Sequence, residues 1–128
     1  MLGSTGVPAQ SAYKDHHLLW GRASGGFTNF DVSDPSAPSL VDIPRGVYGL
    51  ALHGDTLYAS AASGANSALF IYDVSDAAAP TEVGARLPLT NFAYLYVDGD
   101  RLYALLSGSQ LGVYDISTPR SPALIGTL

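Results

Sequence analysis

Residues 31–38 (DVSDPSAP), 73–80 (DVSDAAAP) and 115–122 (DISTPRSP) follow one pattern: Asp, a β-branched residue, Ser, a few turn-forming residues, then Pro. The leading aspartates stand at 31, 73 and 115, so the pattern recurs every 42 residues. A period in the low forties, taken three times, is the length of one four-stranded propeller blade. A helical repeat that long would carry extended apolar stretches of period 3.6, and none is present. The runs just upstream, 27–32, 69–74 and 111–116, are aromatic and aliphatic and read as strands. Those just downstream, 39–43, 81–85 and 123–127, read as short strands entered directly after proline, which suits an outer edge strand.

Two longer stretches match each other in turn. Residues 47–61 (VYGLALHGDTLYASA) and 92–106 (FAYLYVDGDRLYALL) both run through alternating residues into Gly-Asp and out through Leu-Tyr, the signature of a hairpin closed by a tight Gly-containing turn. Gly54 and Gly99 stand 45 residues apart. The extra three residues over the main period are expected in the loop at 62–68, longer than its counterpart at 107–110. In the first copy Leu18-Leu19 takes the place of Leu102-Tyr103, but nothing before it resembles the inner strand of the other two. The expected fold is therefore all-β: about three four-stranded antiparallel blades forming a partial propeller arc. The units are about 12–43 (incomplete or divergent), 45–87 and 89–128, after a linker at 1–11.

Composition narrows the partners. The 128 residues are 47% hydrophobic and only 13% charged, so disorder is not expected. Six basic against eleven acidic residues give a net charge of −5, and Lys14 is the single lysine, so no basic patch is available to neutralise nucleic-acid phosphates. The absence of cysteine removes disulfides, thiolate metal sites and cysteine nucleophiles. No uncharged apolar run approaches the ~18 residues of a membrane span, and the first fifteen residues lack the basic-then-apolar layout of a signal peptide.

The units resemble the LVIVD repeat family, in which a Gly-bounded hairpin and an aromatic-aliphatic strand lead into D-V-S-D-P, a second Pro and a closing L-V-G. The residues that carry the likeness are Asp31-Val32-Ser33-Asp34-Pro35 with Pro38 and Leu40-Val41, Asp73-Val74-Ser75-Asp76 with Pro80 and Val83-Gly84, and Asp115-Ile116-Ser117 with Pro119, Pro122 and Ile125-Gly126. Departures are Ala77 for the first Pro, Asp42 for the closing Gly and Thr118 for the second Asp. The resemblance implies a β-propeller, often part of a bacterial or archaeal exported or cell-surface protein. It implies no enzyme. The chain by itself leaves its compartment open.

The paired Asp31/Ser33, Asp73/Ser75 and Asp115/Ser117 offer oxygens two residues apart, as a calcium site would, but calcium takes about six to eight and each copy supplies few. The expected role is structural: a side-chain oxygen accepts the N–H two residues on and fixes the turn between third and fourth strands. His16 and His17 are neighbours and point to opposite faces of an extended chain, so no metal site is expected there. His53 corresponds to Asp98 beside the Gly-Asp turn and reads as a polar turn residue. No Gly-x-Ser-x-Gly elbow and no phosphate-cradling glycine motif followed by a helix occurs, and no cofactor is expected. Of the eight tyrosines, Tyr58 with Tyr103 and Tyr72 with Tyr114 repeat inside strands and are expected to pack blades.

A propeller gathers the connections into its inner strands at one end of the channel, which makes Arg45, Tyr48, Asn91 and Phe92 the candidate ligand-binding rim. The expected function is a non-enzymatic interaction scaffold for a protein or glycan. Alternatives are a fragment of a hydrolase or oxidoreductase whose catalytic residues lie in other blades, and a small lectin-like propeller closed by homo-oligomerisation. Propellers close with ~4 to 8 blades, so three require further blades from the same chain or from a copy of it.

Overall fold

The computed structural model describes residues 11–21, 27–43, 47–63, 66–89, 94–105 and 110–127, and they are all-β. The first sheet contains β1 (Ser11–Lys14), β2 (His17–Gly21), β3 (Phe27–Asp31) and β4 (Ser39–Ile43). The second holds β5 (Val47–His53), β6 (Thr56–Ser63) and β7 (Asn66–Asp73), whose outer edge is shared by β8 (Thr81–Glu82) and β9 (Leu87–Leu89). The third contains β10 (Tyr94–Asp98), β11 (Arg101–Leu105), β12 (Leu111–Asp115) and β13 (Ala123–Thr127). Each is an antiparallel meander in chain order, the architecture of a propeller blade.

The blades stack in the same order, since β5 touches β1 and β2 on one side and β10 on the other. Residue alternation explains why the middle blade carries buried apolar side chains on both faces. Leu50, Leu57, Ala59, Ala68, Phe70, Tyr72 and Val74 face the first blade, with Ala12 packed against them. Their strand neighbours Ala51, Tyr58, Leu69 and Ile71 face the third, against Leu95, Leu102, Ala104, Tyr114 and Ile116. Successive side chains of a strand leave opposite faces, so a strand buried on both sides must read as a continuous run such as Leu69-Phe70-Ile71-Tyr72.

Three details differ from the sequence expectation. The first sheet has all four strands: β1 pairs with β2 from Ser11↔Trp20 to Lys14↔His17, so Ser11 and the segment after it belong to the blade. Sequence reasoning overlooked this hairpin because Asp15 and His16, at φ 48° and 64°, turn the chain without glycine. Both turn residues at positive φ match a type I′ turn, and Asp is among the side chains that tolerate that region. In the other two hairpins Gly54 and Gly99 take the positive φ, at 60° and 57°. Secondly, the three extra residues at 62–68 lengthen the strands and not the loop, because β6 and β7 stay paired as far as Ser63↔Asn66.

Thirdly, the strand expected at 81–85 stops at Glu82, and the edge resumes as β9, which pairs with Ser67 to Leu69. Gly84 interrupts it at φ +70°, where a Cβ would come within 2.6 Å of the Arg120 carbonyl oxygen from the third blade. Arg86, just past the break, pairs with Glu82 at 2.7 Å and lies 4.4 Å above the Phe70 ring. Gly84→Ala is expected to lower the unfolding free energy by about 1–3 kcal/mol through the backbone conformation alone. Gly126→Ala, where a Cβ meets nothing within 4 Å, should stay within about 0.5 kcal/mol of the parent. Urea denaturation of the two variants checks the contrast.

Candidate functional site

The Asp-[Val/Ile]-Ser loops all lie at one end of the sheets. Asp31 pairs across the ladder with His17, Asp73 with Thr56 and Asp115 with Arg101, each beside the turn of the inner hairpin. Asp31 Oδ1 accepts the Ser33 N–H at 2.9 Å and its hydroxyl at 2.7 Å. Asp73 and Asp115 accept the Ser75 and Ser117 N–H groups, both at 2.8 Å. A second turn follows, in which Asp34 accepts the Ser36 N–H and Asp76 the Ala78 N–H, each at 3.1 Å. The β-branched residue ties loop to hairpin: Val32, Val74 and Ile116 N–H donate to the carbonyls of His16, Asp55 and Asp100 at 2.8, 2.8 and 2.9 Å.

These bonds set the electrostatics. The Ser33 hydroxyl and N–H hold the Asp31 carboxyl below the ordinary carboxylate range. The Ser75 N–H and hydroxyl do so for Asp73, with Arg120 adding to it, and the Ser117 N–H and hydroxyl do so for Asp115. Nine of the eleven acidic residues lie in these turns and loops or beside them, namely Asp15, Asp31, Asp34, Asp55, Asp73, Asp76, Asp98, Asp100 and Asp115. One end of the arc is therefore strongly acidic. Lys14 spans two blades there, 2.7 Å from Asp15 and 2.9 Å from Asp55, and Arg120 reaches back to Asp73 at 2.6 Å. Among the described residues no group of three or more His, Asp or Glu is placed to hold a metal ion.

The same loops join blade to blade through their fifth residue. The Ala77 carbonyl accepts the Asn29 amide N–H at 2.9 Å, and the Pro119 carbonyl accepts the Tyr58 hydroxyl at 2.6 Å. Each donor belongs to the preceding blade, and both Asn29 and Tyr58 are completely buried. Asn29 Oδ1 lies 3.0 Å from His17 Nδ1; an amide oxygen only accepts, so Nδ1 carries the proton. His17 thus extends a buried chain from imidazole through amide to the next blade. Neither Asn29 nor this use of Tyr58 follows from motif reading. The available signal was a polar residue at 29 where the other copies have Ile71 and Val113.

Of the candidate rim residues, Arg45, Asn91 and Phe92 lie outside the described residues. Tyr48 lies in the backbone of β5, with its side chain outside them. The described strand ends that flank these residues, Ile43, Val47, Leu89 and Tyr94, lie at the end of the sheets opposite the acidic loops. A family model described as LVIVD repeat matches residues 23–43, 48–86 and 91–128. The chain belongs to the LVIVD repeat family. Its blades are thus LVIVD units with the outer two strands supplied by the most recognisable part of the repeat. The first match begins after the β1–β2 hairpin, whose glycine-free turn departs from the other two. A search of curated proteins returned no match.

The lowered carboxyls make an acid limb. An Asp whose folded pKa lies below its unfolded value near 3.9 stabilises fully above about pH 5, and that contribution disappears as pH falls through the folded value. The thermal midpoint is expected to be level from about pH 5 to 7 and to drop below about pH 4. The triple variant Asp31→Asn/Asp73→Asn/Asp115→Asn should flatten that drop in a pH series of melting curves, and an unchanged slope would refute the assignment.

At the alkaline side, burial pushes the Tyr58 hydroxyl up to about 12. Its contribution is complete below the unfolded value near 10 and lost as pH rises towards 12. Tyr58→Phe leaves the Pro119 carbonyl without its donor and should cost about 1–3 kcal/mol at neutral pH. It should also remove part of the alkaline slope, measured by denaturant titration at several pH values.

Proposed function

We propose that this chain is a non-enzymatic β-propeller module that serves as an interaction scaffold within an exported or surface-associated bacterial or archaeal protein. The observation that carries the reading is how its polar groups are used. In every blade the carboxylates that would be the first candidates for chemistry hold their own loops, and the buried Asn29 amide and Tyr58 hydroxyl bridge blades. Such a frame commits the polar groups of the loop end to holding the fold. Arg45, Asn91 and Phe92, together with Tyr48 of β5, combine a cation, two aromatic rings and an amide, a set suited to stacking and hydrogen bonding with a protein or glycan surface. The acidic loop end repels anionic partners, which speaks against nucleic acid.

The test is a glycan array together with a panel of purified cell-envelope proteins, probed with the whole chain. Arg45→Ala/Phe92→Ala is expected to lose at least tenfold in affinity for whatever the parent binds, while Asp115→Asn binds as the parent does. Hydrolytic or redox turnover by the chain alone would overturn the reading, as would binding that is lost only on substitution at the acidic end.

A further inference from the structure

The two outermost sheet faces carry the residues of an internal junction without the neighbour. In the middle blade the face towards the third blade is built on Ala51, Tyr58, Leu69 and Ile71, and Tyr58 is fully buried there. The register places Tyr96, Tyr103, Leu111 and Val113 at the same ladder positions on the far side of the third blade. There Tyr96 is 63% exposed and the adjacent Leu105 is 51% exposed. At the other end of the arc, Leu18 occupies the position of Leu57 and Leu102; it is 39% exposed where they are fully buried. Tyr13, at the position of Leu52 and Val97, is also exposed.

Hydrogen bonding repeats the same mismatch. Tyr103 stands where Tyr58 stands, with its ring against Tyr96 (centroids 6.4 Å apart), and its hydroxyl has no partner among the described residues. Pro35 stands where Ala77 and Pro119 stand, and its carbonyl, too, has no donor among the described residues. One face thus presents a junction donor and the other a junction acceptor, each amid apolar side chains of the types that pack within the arc.

We propose that these two faces dock on each other between two copies of this chain, head to tail, closing a six-blade ring in which Tyr103 of each copy donates to the Pro35 carbonyl of the other. The contact continues the donor–acceptor and apolar pattern of the two junctions already in the chain, and a second copy carries both of its halves. Six blades fall within the ~4 to 8 that close radially. A head-to-tail contact either closes or propagates, and the ring is its closed form. The inference rests on the blade junctions and is independent of what the rim binds.

Sedimentation equilibrium of the whole chain tests it. The expected mass is twice the 13.3 kDa of one chain over a wide concentration range. A mass of one chain at all concentrations overturns the proposal, and so does a mass that climbs without a plateau, which indicates an open filament. Leu18→Asp and Leu105→Asp should each give monomers with an unchanged far-ultraviolet circular dichroism spectrum. Mixing the two should restore dimer, because one junction of the mixed ring is then intact.

If Leu18→Asp alone dimerises like the parent, the contact is between two identical third-blade faces and the head-to-tail arrangement is wrong. Gly126→Arg is a second probe that spares the fold: the residue lies opposite Val113 on the open face, and a Cβ there meets nothing within 4 Å. It should also give monomer. Tyr103→Phe should weaken dimerisation roughly tenfold per junction, the effect of one lost hydrogen bond.

Discussion

The structure depends on covering both faces of every blade. A meander of four short strands has too little apolar surface on one side to hold itself together, and a strand such as Leu69-Phe70-Ile71-Tyr72 sends large side chains to both sides. Blade must therefore stack on blade. At each junction the apolar contact is accompanied by one buried hydrogen bond that fixes its register: a side chain of one blade donates to the fifth-residue carbonyl of the next blade's Asp-[Val/Ile]-Ser loop. An unpaired carbonyl at that depth would be costly, so the bond selects one alignment of the two sheets over slipped alternatives.

The loop motif is the part of the sequence that makes this carbonyl available. Its Asp and Ser close an Asx turn, its β-branched residue bonds back to the inner hairpin, and the next residues turn again, so the carbonyl is held at a fixed height above the neighbouring blade. The turn residues of the motif are local. The donor is free to differ between copies: Tyr58 on a second strand in one junction and Asn29 on a third strand in the other serve the same acceptor position. The two donors come from one cross-strand pair position, since Tyr58 faces Ile71 as Leu19 faces Asn29. A short donor on the third strand and a long one on the second reach the same acceptor.

Charge follows from the same layout. The motif puts aspartates in every third-to-fourth-strand loop, and the inner-hairpin turns add more, so the low overall charge of the chain hides an acidic end. Lys14 and Arg120 sit at the two junctions of that end and relieve part of the repulsion between adjacent blades. The segments 44–46 and 90–93, which join one blade to the next, carry no acidic residue.

The sequence by itself determined the period, the strand order within a blade and the Asp-Ser turns, because these depend on neighbours within a few residues: alternation, a Gly or Asx turn, and proline at an edge. It showed the outer strands at 39–43 and 123–127 to the residue for that reason. Tertiary structure alone decided the rest. The first hairpin was hidden because Asp15 and His16 hold a turn that glycine holds elsewhere. The break at Gly84 was hidden because the residue that crowds it, Arg120 with its backbone carbonyl, lies 36 residues away in chain and one blade away in space. Tyr58 read as one more packing aromatic and Asn29 carried no motif, since nothing local distinguishes a side chain that bonds within its own sheet from one that bonds to the next. Whether a face is covered is a property of the stack, and no single repeat contains it.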